Sequence, residues 1–105
     1  MIYHITTPEL FENYNAKDTY EAPSLASEAF IHCSTFSQLK ASAERYYKDV
    51  PEIVVLVIDE QKLIAKLKYE LASNGEEFPH IYGVINKDAI TETKRVINKE
   101  GSFNF

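Results

Sequence analysis

The chain has 105 residues, 45% of them hydrophobic and 26% charged, with a net charge of −5. That suits one domain with a modest core and excludes a disordered chain. The acidic balance argues against nucleic acid as the main partner, because duplex binders carry a basic excess that displaces counterions.

The longest apolar run, Ile53 to Ile58, falls far short of the roughly 20 residues that span a bilayer. Met1-Ile2-Tyr3-His4 has neither the basic start nor the apolar stretch of a signal peptide. Cys33 stands alone and forms neither a disulfide framework nor a cysteine-based zinc cage. The expectation is a cytoplasmic protein without a membrane partner.

Ile2 to Thr6 is rich in β-forming residues and predicts a first strand. Thr7-Pro8-Glu9 supplies an N-cap hydroxyl, a proline at the first helical position and an acid facing the helix dipole, so a helix is expected to about Asn15. Asp18 to Ser27, broken by Pro23, reads as a loop with room for a short edge strand. Ala29 to Cys33 predicts a second strand. Thr35 with Gln38 forms a capping-box pattern that opens a helix to about Lys48. Along it Phe36, Leu39, Ala43, Tyr46 and Tyr47 make one apolar stripe, expected to be core.

The β-branched run from Ile53 to Ile58, bounded by Pro51 and Asp59, suits a central strand buried on both faces. Asp59 to Leu63 fits a helical turn. Lys66-Leu67-Lys68-Tyr69-Glu70 alternates polar and apolar, the mark of a half-exposed strand. Asn74-Gly75 marks a turn. His80 to Ile85 and Ile90 to Ile97 predict the last two strands, joined by Asn86-Lys87-Asp88. Residues 98–105 read as a loosely held tail beyond a core of about residues 2–97. The sum is a single-domain α+β fold with about six strands and two helices.

Three histidines carry the chemistry, and each is followed two residues later by a hydroxyl: His4 with Thr6, His32 with Ser34, His80 with Tyr82. Period-two geometry places each pair on one face of its strand. Buried polar groups cost free energy unless paired, so such pairs point to a polar pocket, with single satisfied structural histidines as the alternative. Three imidazoles can also hold zinc with water in the fourth position, although no HExxH-type spacing is present and no metal is expected. Cys33 adjoins His32 but points to the opposite strand face, so it is expected in the core rather than as a nucleophile. The hydroxyls of Ser24 and Ser27 can meet a ligand's polar edge, and Glu76 precedes the third histidine closely enough to orient a substrate hydroxyl. Only Gly75, Gly83 and Gly101 are available, which excludes Walker and Rossmann phosphate loops.

Four stretches, Ile2 to Thr6, Ala22 to Glu28, Phe30 to Ser34 and Phe78 to Gly83, resemble in order and spacing the domain-of-unknown-function family numbered 952, over residues 2 to about 97. That family name carries no established reaction. Tyr3-His4-Ile5-Thr6 and Ile31-His32-Cys33-Ser34 are also similar to the Tyr-His-Gly-Thr and Val-His-Leu-Ser strands of NAD-dependent RNA 2′-phosphotransferases, members of the ADP-ribosyltransferase superfamily. This likeness implies an ADP-ribosyltransferase-like, split, mostly antiparallel sheet with NAD between its halves. His4 would meet a ribose hydroxyl, and the strand of His32 and Ser34 would line the same cleft. The phosphotransferases use several arginines where this chain has only Arg45 and Arg95, so transfer to an RNA phosphate is not carried over.

The leading expectation is an NAD- or nucleotide-binding cleft, with ADP-ribosyl transfer or NAD glycohydrolysis as its chemistry. His4, His32 and Glu76 are the candidate catalytic residues; Tyr3, Thr6, Ser24, Ser27, Ser34, His80 and Tyr82 are the candidate cofactor-binding residues. Tyr82 or Tyr3 would stack on nicotinamide, and Glu76 would face developing positive charge. A non-catalytic nucleotide- or protein-binding module and a histidine-based metal hydrolase stand as alternatives.

Overall fold

The computed structural model describes residues 1–14 and 16–105. Its strands are β1 (Ile2–Thr6), β2 (Thr19–Tyr20), β3 (Ile31–His32), β4 (Glu52–Ile58), β5 (Lys66–Leu71), β6 (Glu77–Tyr82), β7 (Ile85–Asn86) and β8 (Ile90–Ile97); its helices are α1 (Pro8–Tyr14), α2 (Pro23–Glu28) and α3 (Phe36–Tyr46). The expected end of the first helix at Asn15 lies outside the described residues. This is an α+β fold, and its sheets run β1-β4-β8, β2-β7 and β3-β6-β5, with every pair antiparallel.

The β-branched run organises the interior. Because alternate strand residues face opposite sides, β4 feeds two cores. Val54, Leu56 and Ile58 pack with Ile2, Tyr20, Ile31, Ile81 and Ile85. Ile53 and Val55 pack with Ile5, Leu39, Ala43 and Phe103. Each fully buried aliphatic chain contributes about 1.5–3 kcal/mol through water release, which is why this strand is central and buried on both faces, as its sequence predicts.

Where the first and third sheets meet, Tyr3 and Ser34 form a bridge. The Tyr3 N–H donates to the Ser34 carbonyl at 2.8 Å, and the Ser34 N–H donates back at 2.7 Å. That joint holds the histidine-bearing strands β1 and β3 side by side.

Several expectations need correction. Residues 23–28 form α2 rather than loop, giving three α-helices among the described residues where two were expected. Pro23 stands at its first turn, and Ala29 closes it at φ 71° with its N–H donating to the Leu25 carbonyl at 3.1 Å. With alanine at both caps, the start and stop residues that announce a helix are missing. Ala29 is therefore a helix cap, and β3 is confined to Ile31–His32.

The strand expected at His80–Ile85 is split. β6 starts earlier, at Glu77, because Pro79, which normally argues against a central strand, still offers its carbonyl to the Cys33 N–H at 2.9 Å. It ends before Gly83, where a Cβ would stand 2.9 Å from that of Ala65.

The apolar stripe of α3 is core only in its middle. Leu39 and Ala43 are buried, whereas Phe36 and Tyr46 are 61% and 63% exposed. Phe36 packs on Tyr3 with ring centroids 5.7 Å apart. The tail is pinned, not loose: Phe103 is fully buried, and Lys40 Nζ donates to its carbonyl at 2.9 Å. No helix among the described residues is long and apolar enough to cross a membrane.

Candidate functional site

Strand register decides which polar side chains meet. In the third sheet His32 lies opposite His80, and His80 lies opposite Lys68. Glu70, two residues beyond Lys68, shares that face. His80 Nδ1 donates to Glu70 Oε1 at 2.9 Å, and the Tyr82 hydroxyl donates to the same oxygen. His32 Nδ1 and His80 Nε2 share a hydrogen bond at 3.2 Å. The rings of Phe30 and His80 stack with centroids 4.0 Å apart.

The first sheet contributes His4, which is 6% exposed. Its Nδ1 lies 2.8 Å from the His32 carbonyl, which only accepts, so Nδ1 carries the proton. Its Nε2 then accepts from the Tyr20 hydroxyl at 3.1 Å. Burial holds this imidazole's pKa down at about 4, so it is neutral at pH 7. Burial likewise pushes the Tyr20 phenol up to about 12. His32 is also lowered, first by burial and then by the neighbouring His80. All three histidines thus belong to one connected network.

They border one cavity of about 630 Å³. Tyr3, His4 and Thr6 line it from β1; His32, Ser34 and His80 line it from across the joint. Ser24 and Glu28 come from α2, and Ser42 and Tyr46 from α3. The Ser34 hydroxyl donates to that of Ser42 at 3.2 Å. Thr6 Oγ1 and His32 Nε2 are buried and make no well-formed hydrogen bond among the described residues. The Thr6 hydroxyl is still a loose hydrogen-bond partner of the Tyr20 phenol and lowers its pKa against the effect of burial.

Not every expected residue reaches this cavity. Ser27 donates weakly to the Pro23 carbonyl at 3.5 Å, a contact within α2, and does not line the cavity. Tyr82 is spent on Glu70 and also lies outside the lining. Glu76 borders a smaller hollow of about 160 Å³ that His32 also reaches. Its carboxylate accepts from Asn74 Nδ2 at 3.0 Å and, weakly, from Gln38 Nε2 at 3.5 Å. Glu70, not Glu76, is the carboxylate bonded to the histidine chain. Its position on the polar face of an alternating strand was legible; its partner was fixed only by the β5–β6 register. Tyr20, Glu28 and Phe30 gave no motif of their own.

Among the described residues no group of three or more His, Cys, Asp or Glu is arranged to hold a metal. The reason is visible in the network, since His32 and His80 turn nitrogens toward each other and His4 has both of its own engaged. Cys33 is buried in the core, and burial pushes its thiol pKa up, which removes it as a nucleophile.

Fold and site together define a small α+β protein with a histidine-lined cleft where two antiparallel sheets meet. A family model described as "Protein of unknown function (DUF952)" matches residues 5–93, and the chain belongs to that family. Its fold is similar to the crystal structure of protein CC0527 from Caulobacter crescentus, with a TM-score of 0.88 and 23% identity over 98% of this chain and 92% of that one. The solution structure of CC0527 is similar at a TM-score of 0.81 and 22% identity, over 97% and 89% of the two chains. Identity this low shows the fold alone. No curated protein matches the chain.

Proposed function

We propose that the cleft binds a nucleoside-sized ligand bearing hydroxyl groups, and that the nicotinamide riboside half of NAD is the fragment it takes. One observation carries this reading. One cavity is bordered by imidazoles, hydroxyls and aromatic rings together: His32 and His80, Thr6 and Ser24, Tyr3 and Phe30. Such a wall combines polar groups that can pair with a ligand's hydroxyls and apolar faces that can cover a ring.

A volume of about 630 Å³ lies within the usual range of small-molecule sites. Tyr3, Phe30 and Tyr46 offer flat apolar surface to a ring. The likeness of the His4 and His32 strands to those of NAD-using phosphotransferases supplies the same ligand class. Charge narrows it further. Among the described residues Glu28 lines the cavity and no lysine or arginine does, which suits a cationic nicotinamide riboside better than a diphosphate.

The ribose-binding role expected of His4 passes to Thr6 and His32, because both nitrogens of His4 are already engaged. Any ADP-ribosyl transfer or NAD glycohydrolysis would break the nicotinamide–ribose bond, its electron pair leaving on nicotinamide. An acceptor hydroxyl would then bond to the ribose carbon and release its proton. Glu28 would face the developing positive charge, the role expected of Glu76.

Calorimetric titration with nicotinamide riboside and with NAD tests the reading. The riboside should bind more tightly than NAD, and Thr6→Val should weaken its binding about tenfold by removing one hydrogen bond. Release of nicotinamide separates an enzyme from a binding module. If neither compound binds, the reading is wrong.

A further inference from the structure

The third sheet ends in an open edge. β5 pairs with β6 on one side, and among the described residues no backbone hydrogen bond reaches residues 66–71 from the other. Pro79 decides which groups point outward. Along an antiparallel strand, residues alternate between bonding one neighbour and bonding the other. Pro79 gives its carbonyl to the Cys33 N–H, on the β3 side, and has no N–H of its own. Tyr69, directly opposite Pro79 on β5, therefore makes no bond to it and turns its N–H and carbonyl outward. By the same alternation Leu67 and Leu71 do so too.

The side chains of those three residues share one face of β5. Leu67 packs against the core of Ile31 and Ile81, and the apolar row then runs on uncovered, Tyr69 being 46% and Leu71 72% exposed. The other face carries Lys66, Lys68 and Glu70. Lysines on an edge strand ordinarily keep a second strand away. Here the Tyr82 hydroxyl, and after it His80, hold the Glu70 carboxyl below the usual carboxylate range, so a full negative charge stands two residues beyond Lys68. An antiparallel copy centred on Tyr69 sets each Lys68 against the partner's Glu70. On the apolar face it sets Tyr69 against the partner's Tyr69, and Leu67 against the partner's Leu71. A shift by two residues in either direction sets Lys68 against Lys68 or Glu70 against Glu70, and like charges directly opposite are destabilising.

We propose that β5 is an interface between two copies of this chain, joined edge to edge about Tyr69 in the register that sets Lys68 against the partner's Glu70, so that two three-stranded sheets become one. The outward N–H and carbonyl groups of Leu67, Tyr69 and Leu71 are bonded in that pairing, and the exposed apolar row is covered by its own copy. The long edge strand of the first sheet, β8, is built differently. Its register against β4 is broken between Val57 and Ile58, and Lys94 and Arg95 stand side by side on it. An irregular register and adjacent like charges are the usual protection of an edge, and β5 has neither. None of residues 66–71 lines the cavity, so the association is measured without a ligand and independently of the ligand reading.

Sedimentation equilibrium of the full chain tests the proposal. The wild type should populate a dimer at about 0.1 mM, as suits a small interface. Lys68→Glu sets like charges opposite each other twice and should weaken the association at least about tenfold. Leu71→Lys replaces a side chain that is exposed in the single chain, so it should weaken the association as well while leaving thermal unfolding of the monomer unchanged. In a mixture of labelled and unlabelled chains, isotope-filtered NMR should find the α-proton of Lys68 beside that of the partner's Glu70, because a non-hydrogen-bonded pair brings its Cα atoms to about 4.5 Å. A wild type that stays monomeric up to about 1 mM overturns the proposal. So does a dimer that neither substitution weakens, or an intermolecular contact in another register.

Discussion

His4 and His32 are the same residue type on strands of two adjoining sheets, one hydrogen bond apart, and they are held in opposite ways. His4 is closed: one nitrogen donates to the His32 carbonyl, the other accepts from Tyr20, and the ring is almost fully buried. His32 is open: one nitrogen meets His80 and the other has no hydrogen-bond partner among the described residues. A closed imidazole has no bonding capacity left for a ligand and contributes stability. An open one is a standing penalty in the protein, of the order of 1–3 kcal/mol. The difference separates the structural half of the network from the half that can act on something else.

The comparison breaks most sharply at His4. His4→Ala strands the His32 carbonyl and the Tyr20 hydroxyl, and urea denaturation should show a loss of roughly 2–4 kcal/mol. A small loss would mean that water from the cavity satisfies both groups and that His4 is not structural.

Acid probes the same residue without mutation. The His4 pKa is about 4 in the folded protein against an ordinary 6.5. Between those values the unfolded chain binds the proton and the folded one does not, so stability falls as pH drops from 6.5 through 4 and is flat from this source below. The full effect is about 3 kcal/mol at 1.36 kcal/mol per unit. Comparing denaturation at pH 7 and pH 4 in wild type and His4→Gln isolates it, because the variant lacks this part of the acid loss. Equal acid losses in both proteins would mean that His4 titrates normally.

His32→Ala should do least to the fold, with a loss below about 1 kcal/mol by the same denaturation. It removes one hydrogen bond between the rings together with an unsatisfied atom, and it leaves in place the backbone carbonyl that His4 needs. A loss as large as that of His4→Ala would erase the distinction between the two histidines.

Much of the site was legible in advance because strands alternate. The period-two pairing of His4 with Thr6 and of His32 with Ser34 put four polar side chains on single strand faces, and all four line the cavity. Ser27, Tyr82 and Glu76 do not line that cavity, for one shared reason. Sequence proximity to a motif says nothing about direction, and each is taken up by another partner: the Pro23 carbonyl, Glu70, and Asn74 with Gln38. The helix at Pro23–Glu28 was hidden by its alanine caps, and the start of β6 by Pro79.

The local sequence determined the elements that rest on local physics. The run of β-branched residues makes β4 a doubly buried strand, because alternate residues can fill two cores. Thr35 and Gln38 open α3, the Thr35 N–H donating to Gln38 Oε1 at 3.0 Å. Tertiary structure alone decided which histidine is closed and which is open. That outcome depends on strand register and on the bridge between Tyr3 and Ser34, which bring together polar groups 10, 16, 28 and 48 residues apart in the chain. Hydrogen bonds reach about 3 Å whatever the separation in sequence, so no local pattern could assign them.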